Sequence, residues 1–160
     1  MDSKHKRHIK FEWWLVRYRQ GDQNVIDEMI QEFETPLFYY IRRLTDTEED
    51  AWDVLQDVWI IVVRKLRGLR EPKALSTWLY RIARDTAITK FRKQSRYVQW
   101  DEESSSNSDE SSDQVEFSLY NAIDLHHGLQ QLSVFHREVL TLFFLEDFTI
   151  NEIADITKAS

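Results

Sequence analysis

The chain has 160 residues, 42% of them hydrophobic and 13% aromatic, which supplies enough apolar material for a packed core. Only 3 Gly and 2 Pro leave little turn chemistry for a multi-stranded sheet, and the lack of Cys excludes disulfides and thiolate metal sites. The formal net charge of −7 conceals blocks of opposite sign.

No apolar run approaches the ~18 residues of a membrane span, and Met1 to Lys10 does not read as a signal peptide. The expectation is an all-α, soluble, intracellular protein without internal repeats, the lack of Cys suiting a reducing cytoplasm. Met1 to Gln20 is mildly basic (Lys4, Lys6, Arg7, Lys10, Arg17, Arg19), and a first helix is predicted from about Ile9 to Arg19, stopped by Gly21. A second runs from about Asn24 through Ile26, Met29, Ile30 and Phe33 toward Thr35-Pro36, where proline predicts a break or restart. A third, from Pro36 to Leu44, carries Leu37, Tyr40, Ile41 and Leu44 at helical spacing.

Acids dominate from Asp22 to Asp57, where Arg42 and Arg43 are the only cations. A long helix from about Thr47 to Leu66 places Ala51, Leu55, Val58, Val62 and Leu66 on one stripe, opposite Asp53, Gln56, Asp57, Ile60, Arg64 and Arg67. Acid at its start and base at its end complement the helix dipole, and this stabilisation competes with a partner-binding surface as the reason for the pattern. Glu48, Glu49 and Asp50 read as a helix N-terminus rather than a catalytic acid and base.

After a loop around Gly68 to Lys73, the segment STWLYRIARDTAITKFRKQSR predicts a further helix. Leu75, Leu79, Ile82, Ala83 and Thr86 form its inner face, and Arg81, Arg84, Arg92 and Arg96 the opposite one, flanked by Trp78, Tyr80 and Phe91. From Arg64 to Tyr97 the cations Arg64, Lys65, Arg67, Arg70, Lys73, Arg81, Arg84, Lys90, Arg92, Lys93 and Arg96 meet only Glu71 and Asp85. Such a surface repels itself and commonly has an anionic partner, although basic residues on a helix are often merely solvated. Aromatic faces beside cations suit unpaired bases and their phosphates.

The acidic, Ser-rich stretch DEESSSNSDESSDQVE holds too little apolar surface to offset the entropy of ordering, and reads as a flexible linker. Beyond it, Leu129, Leu132, Phe135, Val139, Leu142 and Phe143 mark a helix. Thr149 and Glu152 form a capping box opening a short helix through Ile150, Ile153, Ala154 and Ile156. A new cap at Ser160 would begin the second helix of a helix-turn-helix, whose reading helix the sequence does not reach. No glycine-rich phosphate loop is present, and His5, His8, His126, His127 and His136 make no metal-ligand pattern, so no enzyme activity, cofactor or metal is expected.

DAWDVLQDVWIIVVRKLRGL followed by WLYRIARDTAITKFRK resembles region 2 of bacterial RNA polymerase sigma factors of the sigma-70 family, extracytoplasmic-function (ECF) group. LSVFHREVLTLFFLEDFTINEIADI resembles region 4 of the same family. The resemblance implies a region 2-like helical domain over residues 1–98, a linker over 99–117 and a region 4-like domain over 118–160 that stops before its recognition helix. It also implies a function, directing the polymerase core to promoters and assisting their melting.

By the same resemblance, Asp53, Gln56, Asp57 and Ile60 would contact the beta-prime clamp helices of the core. The loop Leu69 to Thr77 would receive a flipped base from the non-template strand of the minus-ten element. Lys73, Ser76, Thr77, Trp78, Arg81, Arg84, Arg92, Lys93 and Arg96 would bind that DNA. An anti-sigma factor is a further implied partner. A degenerate sigma-like module that binds polymerase or a regulator without reading promoters is the alternative. An ordinary helix-turn-helix repressor would require the complete reading helix and a dimer surface.

Overall fold

The computed structural model describes residues 3–98, 124–125 and 127–158, with side chains of the first stretch followed from residue 5 to residue 90. The described residues are helical, with no strand among them. Helix α1 (Ser3–Arg19) ends where Gly21 takes φ 98°, a left-handed conformation that glycine adopts without a steric cost. Its Phe11, Trp14, Leu15 and Tyr18 recur at helical spacing and are all buried. The Arg17 guanidinium ties the helix end to the next helix, pairing with Asp22 at 2.7 Å and Glu28 at 2.8 Å.

Helix α2 (Asn24–Leu44) runs unbroken through Pro36, where the sequence predicts a break. Proline there removes one ladder bond and costs about 3 kcal/mol. Val25, Met29 and Phe33 before it and Leu37, Tyr40 and Ile41 after it lie on one buried face. Burying each such side chain contributes about 1.5–3 kcal/mol, so keeping the two halves in phase outweighs the local defect.

Helix α3 (Glu48–Lys65) begins at Thr47, whose hydroxyl accepts the Asp50 amide at 3.1 Å. Two short 3-10 turns, Leu66–Gly68 and Pro72–Ala74, lead to α4 (Leu75–Val98). Ala51, Leu55, Val58, Val62 and Leu66 are buried as their spacing predicts, and so are Leu75, Leu79 and Ala83 on α4. The acidic linker lies outside the described residues.

The C-terminal segment departs from the predicted continuous helix over Leu129 to Phe143. A helical turn at residues 127–130 stops before Ser133, which caps a new helix, α5 (Val134–Leu140). A π-turn, Thr141–Leu145, follows. The break and the wider turn shift the helical phase, so Leu129 and Leu142 are buried while Leu132, Phe135 and Phe143 are exposed. The Thr149–Glu152 capping box forms as predicted and opens α6 (Ile150–Thr157), which buries Ile153 and Ile156 but leaves Ile150 exposed. The predicted cap at Ser160 lies outside the described residues.

These C-terminal residues join the main core. Leu142, Phe148, Ile153 and Ile156 pack in one continuous cluster with the buried residues of α1 to α4. The α5–α6 segment lies across α2 and α4, α5 against α2 and α6 against α4.

Candidate nucleic-acid and polymerase interface

Two helices carry the charge patterns singled out in the sequence, and the bundle treats them differently. On α3, Asp53, Gln56, Asp57 and Ile60 are all exposed on the side opposite the buried stripe. Asp53 pairs with Lys90 of α4 at 2.8 Å, and its own side chain stays 58% exposed. Such a pair contributes at most about 1 kcal/mol and is readily exchanged for another cation. Beside it a groove of roughly 460 Å³ opens between α3 and α4, lined by Asp57, Ile60, Arg64, Asp85, Thr89 and Lys90 among others. An apolar ledge at Ile60 flanked by carboxylates can seat a partner helix of complementary charge.

Lys73 is exposed in the second 3-10 turn, and the Thr77 hydroxyl donates to the Ala74 carbonyl at 3.0 Å, closing the turn onto the start of α4. Ser76 and Trp78 are half-buried, Trp78 against the core. One turn further along α4 come Arg81 and Arg84. The α4 backbone continues through Val98, whereas the side chains of Arg92, Lys93 and Arg96 lie outside the described residues.

Arg81 and Arg84 are not free. Arg84 Nε donates to the Glu138 carboxylate of α5 at 2.7 Å, and that carboxylate also accepts the Tyr40 hydroxyl at 2.6 Å. Glu138 is only 3% exposed through its side chain, so the pair is nearly desolvated on the acidic side. Arg81 donates from Nε and from one terminal nitrogen to the Asp155 carbonyl of α6, at 3.1 and 2.8 Å. Lys158 closes the series on Asp85 at 3.0 Å.

Tyr80, predicted on the flank of the basic face, is 2% exposed. The C-terminal segment covers it: its ring stands edge-on to Phe148 at 4.8 Å, and its hydroxyl donates to Glu146 at 2.5 Å. Desolvation by burial, reinforced by neighbouring carboxylates, pushes the phenols of Tyr80 and Tyr40 above the ordinary tyrosine range. Burial likewise raises Glu146, against the opposing pull of the Tyr80 hydrogen bond and of Arg43.

Sequence reasoning missed Glu138, Glu146, Asp155 and Lys158 as neighbours of the basic helix. Each lies more than sixty residues from its partner on α4 except Glu138, which is 54 away, and no local spacing rule spans such separations. Among the described residues, no group of three or more His, Asp or Glu side chains could hold a metal ion. None of their helices is long and apolar enough to cross a membrane.

The family described as Sigma-70 region 2 matches residues 29–97, the span that includes α3 and almost all of α4. The RNA polymerase sigma factor SigV of Bacillus subtilis is 29% identical over 133 residues, covering 79% of this chain and 72% of the relative. Residues 29–97 therefore carry a sigma-70 region 2, and the relatives that the chain resembles over most of its length are RNA polymerase sigma factors. The ECF sigma factor SigX of the same organism is 28% identical over 145 residues, covering 86% of this chain and 73% of the relative. Among solved structures, the sigma factor RpoE of Bartonella quintana, crystallised with the anti-sigma factor NepR, superposes with a TM-score of 0.64. It shares 22% identity over 83% of this chain and 84% of its own, a likeness of fold.

Proposed function

We propose that this chain is a sigma factor that directs RNA polymerase core to promoters and assists their melting in transcription initiation, and that its two charged helices divide the work. On α3, Asp53, Gln56, Asp57 and Ile60 dock on the beta-prime clamp helices of the polymerase core. On α4 and the turn before it, Lys73, Ser76, Thr77, Trp78, Arg81, Arg84, Arg92, Lys93 and Arg96 hold the non-template strand of the minus-ten element. The observation that carries this reading is the segregation of sign: an exposed acidic stripe on α3 and a run of cations on the neighbouring α4, packed against it in one bundle. Cations take the phosphates of separated strands and flat side chains take the bases, so the arrangement suits melted rather than duplex DNA.

Residues 1–98 act as the region 2 unit, 99–117 as a linker and 118–160 as a region 4-like unit. Its place of action is the bacterial cytoplasm, and an anti-sigma factor is a further partner, as NepR is for its structural neighbour. No catalytic step is assigned to the chain.

Fluorescence anisotropy of labelled single-stranded DNA carrying minus-ten-like sequences, titrated with the chain alone and with core polymerase, tests the reading. Sequence-selective binding that requires the core supports it. Core binding with no selectivity among the DNAs would leave a polymerase-binding module without promoter reading.

A further inference from the structure

Two cations of the basic face of α4, Arg81 and Arg84, are occupied within the chain itself, by groups of the kind that DNA would offer. Glu138 presents a carboxylate to Arg84 where a phosphate would sit, and the Asp155 carbonyl takes both donors of one edge of Arg81. Tyr80, the aromatic ring next to Arg81 in sequence, is enclosed by Tyr40 and Phe148 and presents no face to a base.

The seat is built from both sides. Tyr40, with no exposed surface, supplies the second hydrogen bond to Glu138. Arg137 beside it fastens the segment to α2 by donating to the Arg43 carbonyl at 3.0 Å, and its remaining donors hold the carbonyls of Leu129, Gln130 and Leu132. Beneath these bonds Leu142, Phe148, Ile153 and Ile156 are buried against the bundle. A buried carboxylate is costly without its partners, so the geometry only makes sense with Arg84 turned inward.

We propose that α5 and α6 form an autoinhibitory cover over α4, with Glu138 as an internal competitor for Arg84, so that promoter DNA binds only after the C-terminal segment swings away. The proposal rests on the reading of Arg81 and Arg84 as DNA-binding residues. By contrast, the acidic stripe of α3 remains open in the covered form, so the core can engage before the cover leaves. Binding of DNA to the free chain is then weakened by the small fraction of molecules that are open.

The test uses the full chain without core and a short fluorescein-labelled single-stranded DNA carrying a minus-ten-like sequence. Glu138→Gln keeps the shape of the side chain and its acceptor for Tyr40 while removing the charge that holds Arg84. Asp124→Asn, at an exposed position, removes the same charge from the surface and controls for net electrostatics. Because the chain has no Cys, Asp85→Cys with Lys158→Cys makes a unique thiol pair that a short bifunctional maleimide can join, pinning α6 to α4.

If closure holds about nine molecules in ten, E138Q binds the DNA roughly tenfold more tightly than the parent and than D124N. The joined double variant binds at least several-fold more weakly than its unjoined form. Adding R81A and R84A to E138Q abolishes the gain.

Equal affinity of parent, E138Q and the joined protein, with R81A and R84A still weakening binding, would overturn the cover and leave the DNA-binding reading standing. Binding indifferent to R81A and R84A in every background would overturn that reading and the cover with it. If E138Q fails to fold, the joined pair compared with its unjoined form decides alone.

Discussion

The α3 and α4 surfaces carry charge patterns of opposite sign in sequence, and they differ also in exposure: one faces solvent and the other faces its own C-terminus. On α3 the exposed residues Asp53, Gln56, Asp57 and Ile60 have one exchangeable ion pair among them in the described contacts, to Lys90. On α4, Arg81, Arg84 and Asp85 are each engaged by a residue of α5, α6 or the turn that ends α6. A face read from helical period states what the helix could bind. Whether it is available depends on contacts made from far along the chain.

The strongest way to break the comparison is to truncate buried side chains under each surface. Leu55→Ala in α3 and Leu142→Ala under α5 each remove a fully buried leucine, and each costs about 2–5 kcal/mol. The consequences should differ. L55A lowers the stability of the whole bundle, whereas L142A releases the C-terminal segment and leaves α1 to α4 assembled. Hydrogen exchange read separately on α3 and α6 checks this. Equal loss of protection in both helices after L142A would mean that the C-terminal segment and the bundle unfold as one unit.

Charge reversal sharpens the α3 side. Asp53→Lys with Asp57→Lys should weaken core-polymerase binding by roughly ten- to a hundredfold, since like charges set against an interface cost up to several kcal/mol. Helix content should hold, because the pair lost to Lys90 is worth about 1 kcal/mol or less. Unchanged core affinity would move the interface off this stripe.

A smaller effect belongs to single cations of α4. With E138Q present to free the face, removing Arg81 should reduce the slope of log affinity against log salt by about 0.7, the share of one phosphate contact on single-stranded DNA. A slope that does not move would mean that Arg81 meets no phosphate.

Much of this was legible in the sequence because it is local. The buried stripe of α3, the stop at Gly21, the Thr47 and Thr149 caps and the exposed acidic face all follow from period and capping chemistry within a few residues. Pro36 misled because the rule for proline is local while the force that overrides it is the shared burial of Phe33, Leu37 and Tyr40. Phe135 misled because the helix breaks before Ser133, and Phe143 because a π-turn widens the next stretch, so neither keeps the phase that the spacing assumes. The Glu138–Arg84 pair and the burial of Tyr80 were out of reach, since they depend on how the C-terminal segment is docked.

The smallest expected effect is on pH, and it too separates the two surfaces. Glu146 packs against Tyr80, with Arg43 acting on it at a distance and Arg7, Glu32 and Asp147 lining the same cavity. Burial raises its folded pKa above the ordinary carboxylate value, so the docked segment binds a proton that the released segment gives up. Its contribution to docking is therefore fully present below the ordinary carboxylate range. It is lost as pH rises through the raised value. Docking of α5 and α6, followed by energy transfer between dyes on α1 and α6, should weaken with rising pH across that window, and Glu146→Gln should flatten the change. Asp53 and Asp57 on α3 have no such burial, so core affinity should not follow the Glu146 transition. An undiminished slope in E146Q would assign the titration to another group at the α4 contact.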